Sequence, residues 1–375
     1  MQLVATCLFG LEHLLGEEID ALGYRRVGTI DGRVIFEGDE FAVARANLWL
    51  RTAERVYVLV GVYHAVTFTE LFDGATALPW EDYLPSSAVF PVSGHSIKST
   101  LFSVPDCQKI LKKALATRLS AVYRTDWLPE DGTTYPIEFF LFKDDAYLML
   151  DTSGTALHKR GYRPQNLPAP LRETLAAALV KLARPREDVL LHDPFCGSAT
   201  IPIEASMLMT NTAPGLMRSF AAETFDFLPK NGFALAREEA RAAIRESAFE
   251  AFASDIDETA LANARTCVKS AGMDAHIRVF KQDALTITTG DRRGTIVCNP
   301  PYGERLGTIR EAETLYRKMG AHFATLGAWQ IYVLTSSESF ERLYGRRADK
   351  IRKLYNGMIP CYYYQFFKNP KKGDS

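Results

Sequence analysis

From Arg172 onward the chain settles into short apolar strands separated by amphipathic helices, and that alternation constrains its fold more than any other feature. RETLAAALVKLA reads as a helix, DVLLHD as a strand and ATIPIEASMLM as a helix; the strand FEAFASD and the helix DETALANARTCVKSAG follow. HIRVFKQD and TIVCN are strands, EAETLYRKMGAHFATLG a helix and WQIYVLTS a strand. Strands linked through crossover helices run parallel, so the pattern predicts an α/β, Rossmann-like, doubly wound sheet. KIRKLYNGMIPCYYYQFF reads as two strands around Asn356-Gly357, a hairpin that can give the sheet an antiparallel edge. Residues between Asn211 and Phe249 break the alternation as an insertion.

Ligands of such sheets bind beyond the carboxyl ends of the strands, and four unusual clusters fall there. HDPFCGSAT follows the first strand, with Gly197 permitting a tight turn into a helix N-terminus. SDID ends the second strand, where an acid can accept both hydroxyls of a ribose. KQDA, with Asp283, ends the third, and NPPY ends the fourth. Each has a plainer reading: Asp193-Pro194 as a turn, Asp257 as a helix cap, Asp283 as a loop cap, the prolines as strand terminators. Four such clusters at successive strand ends argue for a shared site.

The loop lacks the G-x-G-x-x-G fingerprint of a dinucleotide site, having Gly197 and then Ala199 where a second glycine would admit a pyrophosphate. A cofactor without pyrophosphate fits better, and S-adenosyl-L-methionine matches the set of acids. NPPY then acquires a chemistry. An exocyclic base amine is a poor nucleophile because its lone pair is delocalised; Asn299 Oδ1 and the Pro300 carbonyl can each accept one N–H, and Tyr302 can stack on the base. A base held this way is flipped out or single-stranded.

The preceding 160 or so residues read as α+β. QLVATCLF, GLEHLLGEEIDALG, GRVIFEG and FAVARANLWLRTAERVYVLV give strand, helix, strand, helix and strand. A second segment, from Ala65 to Gly161, contains the basic helix PDCQKILKKALATRLSAVYR and a strand pair, split at Lys143-Asp144-Asp145, that reads as a hairpin. LHKRGYRPQNLPAPLRE, with three prolines, reads as a linker. The expected domains are 1–64, 65–161 and 162–375.

Net charge is −1, yet residues 1–165 carry 16 Lys+Arg against 21 Asp+Glu and residues 166–375 carry 28 against 24. From Lys98 to Arg124 there are six basic residues and one acid; from Glu341 to Ser375, nine and three. Such clusters suit a phosphate-bearing partner, with Lys98, Lys109, Lys112, Lys113 and Arg118 the expected RNA contacts. The six cysteines form no C-x-x-C pair and read as buried thiols, with no metal expected. No basic n-region opens the chain and no membrane-length apolar run is present, which predicts a cytoplasmic enzyme.

The chain resembles the bacterial THUMP-domain methyltransferases related to the 23S ribosomal RNA guanine-N2 enzyme, a family often labelled N6-adenine-specific DNA methylases. The resemblance is carried by ATCLFGLEHLLGEEIDALG, ANLWLRTAERV, LHKRGYR, APLRETLAAALV, DPFCGSATIPIEA, APGLMRSFAAETF, SDID and NPPYGERLG. It implies a ferredoxin-like segment and a THUMP RNA-binding domain ahead of a Rossmann-like methyltransferase domain. It further implies that Asp193, Phe195, Gly197, Thr200, Asp255 and Asp283 bind cofactor and that Asn299, Pro300 and Tyr302 hold the target amine. One departure stands out: the family loop usually reads C-G-S-G-T, and here Ala199 replaces its second glycine, where a methyl would crowd the methionine end of the cofactor. The expected activity is methylation of a guanine N2 amine in large-subunit ribosomal RNA. The rivals are N6-adenine methylation of DNA or RNA, and a non-catalytic RNA-binding assembly factor.

Overall fold

The computed structural model describes residues 1–164, 171–290, 292–302 and 308–367. The GERLG end of the NPPY motif, the middle of the proline-rich linker and the last basic residues lie outside the described residues. The chain divides into two compact units, Met1–Cys7 with Leu15–Leu157 and Arg218–Glu239, and Leu8–Leu14 with His158–Met217 and the described residues from Ala240 onward. Part of the segment read as an insertion, Arg218–Glu239, thus belongs to the first unit.

The first unit is built on β1 (Gln2–Cys7), α1 (Glu12–Ala21) from Leu15 onward, β2 (Arg25–Ile30), β3 (Arg33–Glu37), α2 (Ala42–Trp49) and β4 (Ala53–His64). It continues with α3 (Phe68–Ala77), β5 (Val92–Ile97), α4 (Val104–Tyr123), β6 (Ile137–Phe142) and β7 (Asp145–Asp151). Its strands form one seven-stranded sheet in the order β2-β3-β1-β4-β7-β6-β5. Strand β4 pairs with β1 through Leu3↔Val58 and with β7 through Val58↔Leu150, so the two expected N-terminal domains share a continuous ladder. Strand β2 is an addition to the sequence reading, as an exposed edge strand with no apolar alternation to announce it. On α4, Cys107, Leu111, Leu115 and Leu119 are buried at helical spacing, which turns Lys109 and Lys113 outward.

The second unit contains α5 (Glu173–Ala183), β8 (Leu190–Asp193), α6 (Thr200–Met209), β9 (Ala251–Asp255), α7 (Glu258–Ser270) and β10 (Ile277–Lys281). It ends with β11 (Gly294–Cys298), α8 (Ile309–Phe323), β12 (Gln330–Thr335), α9 (Phe340–Tyr344), β13 (Lys350–Asn356) and β14 (Ile359–Phe366). The sheet order is β10-β9-β8-β11-β12-β14-β13, with the first five parallel to one another and β14 antiparallel to β12 and β13. Order reverses at β8, which places the carboxyl ends of β9, β8 and β11 side by side. Strand β11 is buried along its whole length, as a central parallel strand covered on both faces must be. Ile296, Ile331, Val333, Phe323, Phe340 and Tyr364 form the core between the sheet and α8 and α9. The expected hairpin is β13–β14, but its turn residues are Gly357 and Met358, since Asn356 still pairs with Ile359.

Candidate active site

Four sequence clusters converge at the carboxyl edge of the second sheet. Asp193, the last residue of β8, is 2% exposed. Its Oδ1 accepts the Phe195 N–H at 3.1 Å. Burial, opposed by that hydrogen bond and reinforced by nearby Asp255, pushes its pKa up to about 8, so at neutral pH this carboxyl is mostly protonated. The loop that follows is tied to β9 twice: Cys196 N–H donates to Ser254 O at 3.0 Å, and Gly197 N–H donates to Asp255 Oδ2 at 3.1 Å. Asp255 Oδ1 accepts from Asp257 N–H at 3.1 Å, so each oxygen of this acid holds one backbone donor and retains a second acceptor direction.

Gly197 has φ +51° with open space where a Cβ would stand, so its glycine is required by backbone conformation, not by crowding. Ala199 caps α6 with φ 59° and ψ 30°, in the left-handed region, and is fully buried. The cost of alanine here is therefore backbone strain, on the order of 1–2 kcal/mol against glycine. This supplies a physical reason for a glycine preference that the steric expectation did not contain.

Thr200 opens α6, and its Oγ1 accepts from Arg163 Nη2 at 2.5 Å. Arg163 Nη1 lies 3.1 Å from Glu173 Oε1, at the first turn of α5. One guanidinium thus joins the starts of both helices. Beside it Arg160 Nε lies 3.2 Å from Glu204 Oε1 with both side chains almost wholly buried, a pair in which loss of either member strands a charge. LHKRGYR, read as linker, therefore supplies two arginines that anchor α6; the charged residues within an otherwise proline-rich segment were the available signal.

Asp257 caps α7, its Oδ1 accepting Thr259 N–H at 2.8 Å, and Asp283 accepts Leu285 N–H at 2.9 Å while remaining exposed. Both plainer readings thus hold, and Asp283 keeps its second oxygen without a hydrogen bond among the described residues. Ile256, between the two acids of SDID, is 66% exposed at the same edge, an apolar surface the sequence reading passed over.

At the end of β11 the ladder stops at Cys298 and Asn299-Pro300-Pro301-Tyr302 leaves the sheet. Pro300 is buried, and among the described residues its carbonyl accepts no hydrogen bond. The next carbonyl is occupied: Tyr316 of α8 donates to Pro301 O at 2.9 Å, and its hydroxyl also meets Thr335 Oγ1 at 2.9 Å. Tyr316 therefore fixes the course of the diproline, a role no local pattern announces. Tyr302 donates its hydroxyl to Asn299 Oδ1. Burial holds the Tyr302 phenol far above its ordinary pKa, so it is neutral. Cys196 and Cys298 are buried and raised for the same reason, which removes both as nucleophiles.

The basic residues of the first unit separate into two groups. Lys112 Nζ lies 2.6 Å from Glu130 Oε2 and 3.4 Å from the centroid of the Phe90 ring, and Arg118 forms a forked pair with Glu81. Lys98, Lys109 and Lys113 are exposed. Three of the five expected contacts are thus turned to solvent, Lys109 with its Nζ 3.9 Å from Asp106 Oδ1, while Lys112 and Arg118 are engaged by acids. Phe102 and Trp127 are 81% and 77% exposed next to the ends of α4, aromatic surfaces that the count of charges did not reveal.

Residues 160–365 match the family model described as the RMKL-like methyltransferase domain, residues 2–57 the RlmL ferredoxin-like domain and residues 65–151 the THUMP domain. The chain belongs to the RMKL-like methyltransferase family. It is 45% identical over 368 residues to YpsC of Bacillus subtilis (strain 168), described as a candidate RNA methyltransferase, covering 97% of this chain and 95% of that one. It is 33% identical over 379 residues to the ribosomal RNA large subunit methyltransferase K/L of Syntrophotalea carbinolica, covering 95% of this chain and 52% of that protein. The chain thus spans about half the length of that K/L relative. A candidate methyltransferase solved in complex with SAH superposes with a TM-score of 0.92 at 38% identity, covering 99% of this chain and 98% of the other. No helix among the described residues is long and apolar enough to cross a membrane, and no cluster of potential metal ligands occurs among them.

Proposed function

We propose that this RMKL-like enzyme uses S-adenosyl-L-methionine to methylate the exocyclic N2 amine of a guanine in large-subunit ribosomal RNA. The observation that carries the reading is the unpartnered Pro300 carbonyl beside Asn299 at the end of β11, adjacent in the sheet to the acid-bearing ends of β8 and β9. The cofactor assignment is supported by the SAH-bound relative and by a donor set that fits: buried Asp193 beneath the loop, Asp255 with a free acceptor direction on each oxygen, exposed Asp283 and Ile256, and the start of α6 at Thr200. Phe195 and Gly197 shape the loop itself.

When bound, the cofactor supplies an electrophilic methyl carbon. The chain's own residues then do three things. Asn299 Oδ1 and Pro300 O accept the two N–H bonds of the amine and direct its lone pair outward, and they stabilise positive charge as it develops on nitrogen. The amine takes over the acceptor that Tyr302 occupies, freeing that ring to cover the base. No group here serves as a strong base, since Tyr302 is a neutral phenol and the thiols stay protonated, so the proton leaves to water.

The RNA assignment is supported by the THUMP match over residues 65–151 and the exposed Lys98, Lys109 and Lys113; the ribosomal target follows the name of the K/L relatives, and guanine N2 follows the family resemblance carried by the sequence motifs. In this reading residues 1–64 and 65–161 form the ferredoxin-like and THUMP parts that hold RNA, and 162–375 carry the chemistry. Tritiated methyl transfer to large-subunit ribosomal RNA lacking the modification, followed by nucleoside mass spectrometry, tests it. N2-methylguanine is expected; N6-methyladenine as sole product, or no transfer by a chain that binds SAH, overturns the assignment.

A further inference from the structure

The β13–β14 hairpin projects past the carboxyl edge on which the NPPY residues sit. The registers fix how far. Cys298 pairs with Val333, so Pro300 stands about level with Thr335, and Thr335 pairs with Tyr362. From Tyr362 the hairpin continues three more residues to Ile359, which pairs with Asn356, and then closes through Gly357 and Met358. At about 3.3 Å per residue the turn rises at least 10 Å above the level of Pro300. Sideways it lies between two and three strand spacings from β11, about 12 Å away.

The turn is stiff. It has two residues, with glycine first at φ +68°, the composition of a type II′ hairpin turn whose twist suits its strands. That leaves Met358 outermost, 94% exposed, the most exposed large apolar side chain among the described residues. Nothing in the fold of this unit, among the described residues, explains an unbranched thioether so exposed at the tip of a two-residue turn. Below it the hairpin is braced. Phe9, 51% exposed, packs edge-on against Tyr355 with ring centroids 6.1 Å apart. A Cβ on Gly10 would stand 3.1 Å from Lys353 O, so this loop lies directly against β13. Lys353 is exposed with its Nζ 6.0 Å from the Tyr355 ring centroid, and it has no carboxylate partner among the described residues. Aromatic faces beside an unpaired cation suit a nucleic-acid strand.

A guanine whose amine reaches Asn299 and Pro300 must leave its stack, and the gap it leaves has to be filled or the base returns. Apolar side chains, methionine among them, fill such gaps in proteins that unstack bases. We propose that the β13–β14 tip is a wedge, Met358 occupying the stacking position vacated by the target nucleotide while Tyr355, Phe9 and Lys353 hold the adjoining strand. The inference rests on the RNA-methylation reading above.

The test uses the full chain, large-subunit ribosomal RNA lacking the modification, and the variants M358A and M358L. Because Met358 is solvent-exposed in the free chain, M358A leaves melting temperature and SAH affinity unchanged. The wedge predicts that M358A lowers kcat at least about tenfold, with RNA affinity by filter binding within about threefold of wild type, and that M358L recovers most of the rate. Wild-type kcat in M358A overturns the wedge, as does a loss that M358L fails to rescue. Wild-type chain that binds SAH but transfers nothing to this RNA removes the underlying reading and the wedge with it, and is distinguished by its failure without any substitution.

Discussion

The buried carboxyl of Asp193 gives the sharpest physical prediction. Its pKa is 3.8 in an unfolded chain and about 8 in the folded one, raised first by burial. Between those values the folded chain holds one proton more than the unfolded chain, so stability falls as pH rises, by about 1.4 kcal/mol per unit. Below pH 3.8 the acid is neutral in both states and above about 8 the loss is complete. The substitution D193N keeps a side-chain oxygen for the Phe195 N–H, now 3.1 Å from the carboxylate, and removes the titrating proton. The stability of wild type relative to D193N therefore drops by roughly 3 kcal/mol between pH 5 and pH 7. Hydrogen exchange of the β8 and β11 amides, compared for the two proteins at both pH values, reads this locally. The comparison cancels the titrating groups remote from Asp193, leaving those that sense it, such as Asp255. A difference that changes by less than about 0.5 kcal/mol would refute a neutral, buried Asp193 beneath the loop between β8 and α6.

Three further outcomes follow from the site. Replacing Ala199 with glycine relieves left-handed strain but adds unfolded-chain entropy and removes a buried methyl, so A199G changes stability by less than about 1 kcal/mol and does not weaken SAH binding, measured by calorimetry. Removing the Tyr316 hydroxyl frees the Pro301 carbonyl and leaves Thr335 Oγ1 with only the Ser337 N–H; Y316F costs about 1–2 kcal/mol by thermal unfolding and lowers transfer more than it lowers SAH affinity. Charge reversal at Lys98, Lys109 and Lys113 together weakens RNA binding and flattens its salt dependence, whereas neutralising Lys112 or Arg118 chiefly breaks the pairs with Glu130 and Glu81 and shows in stability.

The parallel sheet was readable because its strands are buried apolar runs separated by full helices, and β11 could be ended at Cys298 because proline cannot join a ladder. What escaped depends on partners distant in sequence. Strand β2, RRVGTI, is an exposed edge whose extended conformation is imposed by pairing with β3. The joining of β4 to β7 is a register between residues nearly ninety positions apart, which local pattern cannot encode. Arg163 with Thr200 and Tyr316 with Pro301 are tertiary hydrogen bonds, invisible until the chain has folded. For Lys112 and Arg118, spacing places a cation on a helix face, and only the fold reveals the pairing with Glu130 and Glu81. The left-handed backbone at Ala199 belongs to the same class, since alanine gives no sign of a conformation it disfavours.

The central claim is that Asn299 and the Pro300 carbonyl receive an amine of RNA. It is tested most directly by quantifying N2-methylguanine formed by wild type and N299A on large-subunit ribosomal RNA lacking the modification, with SAH affinity measured in parallel. N2-methylguanine from the wild type, a loss of about a hundredfold or more in N299A, and unchanged SAH binding are expected. Undiminished transfer by N299A would contradict it.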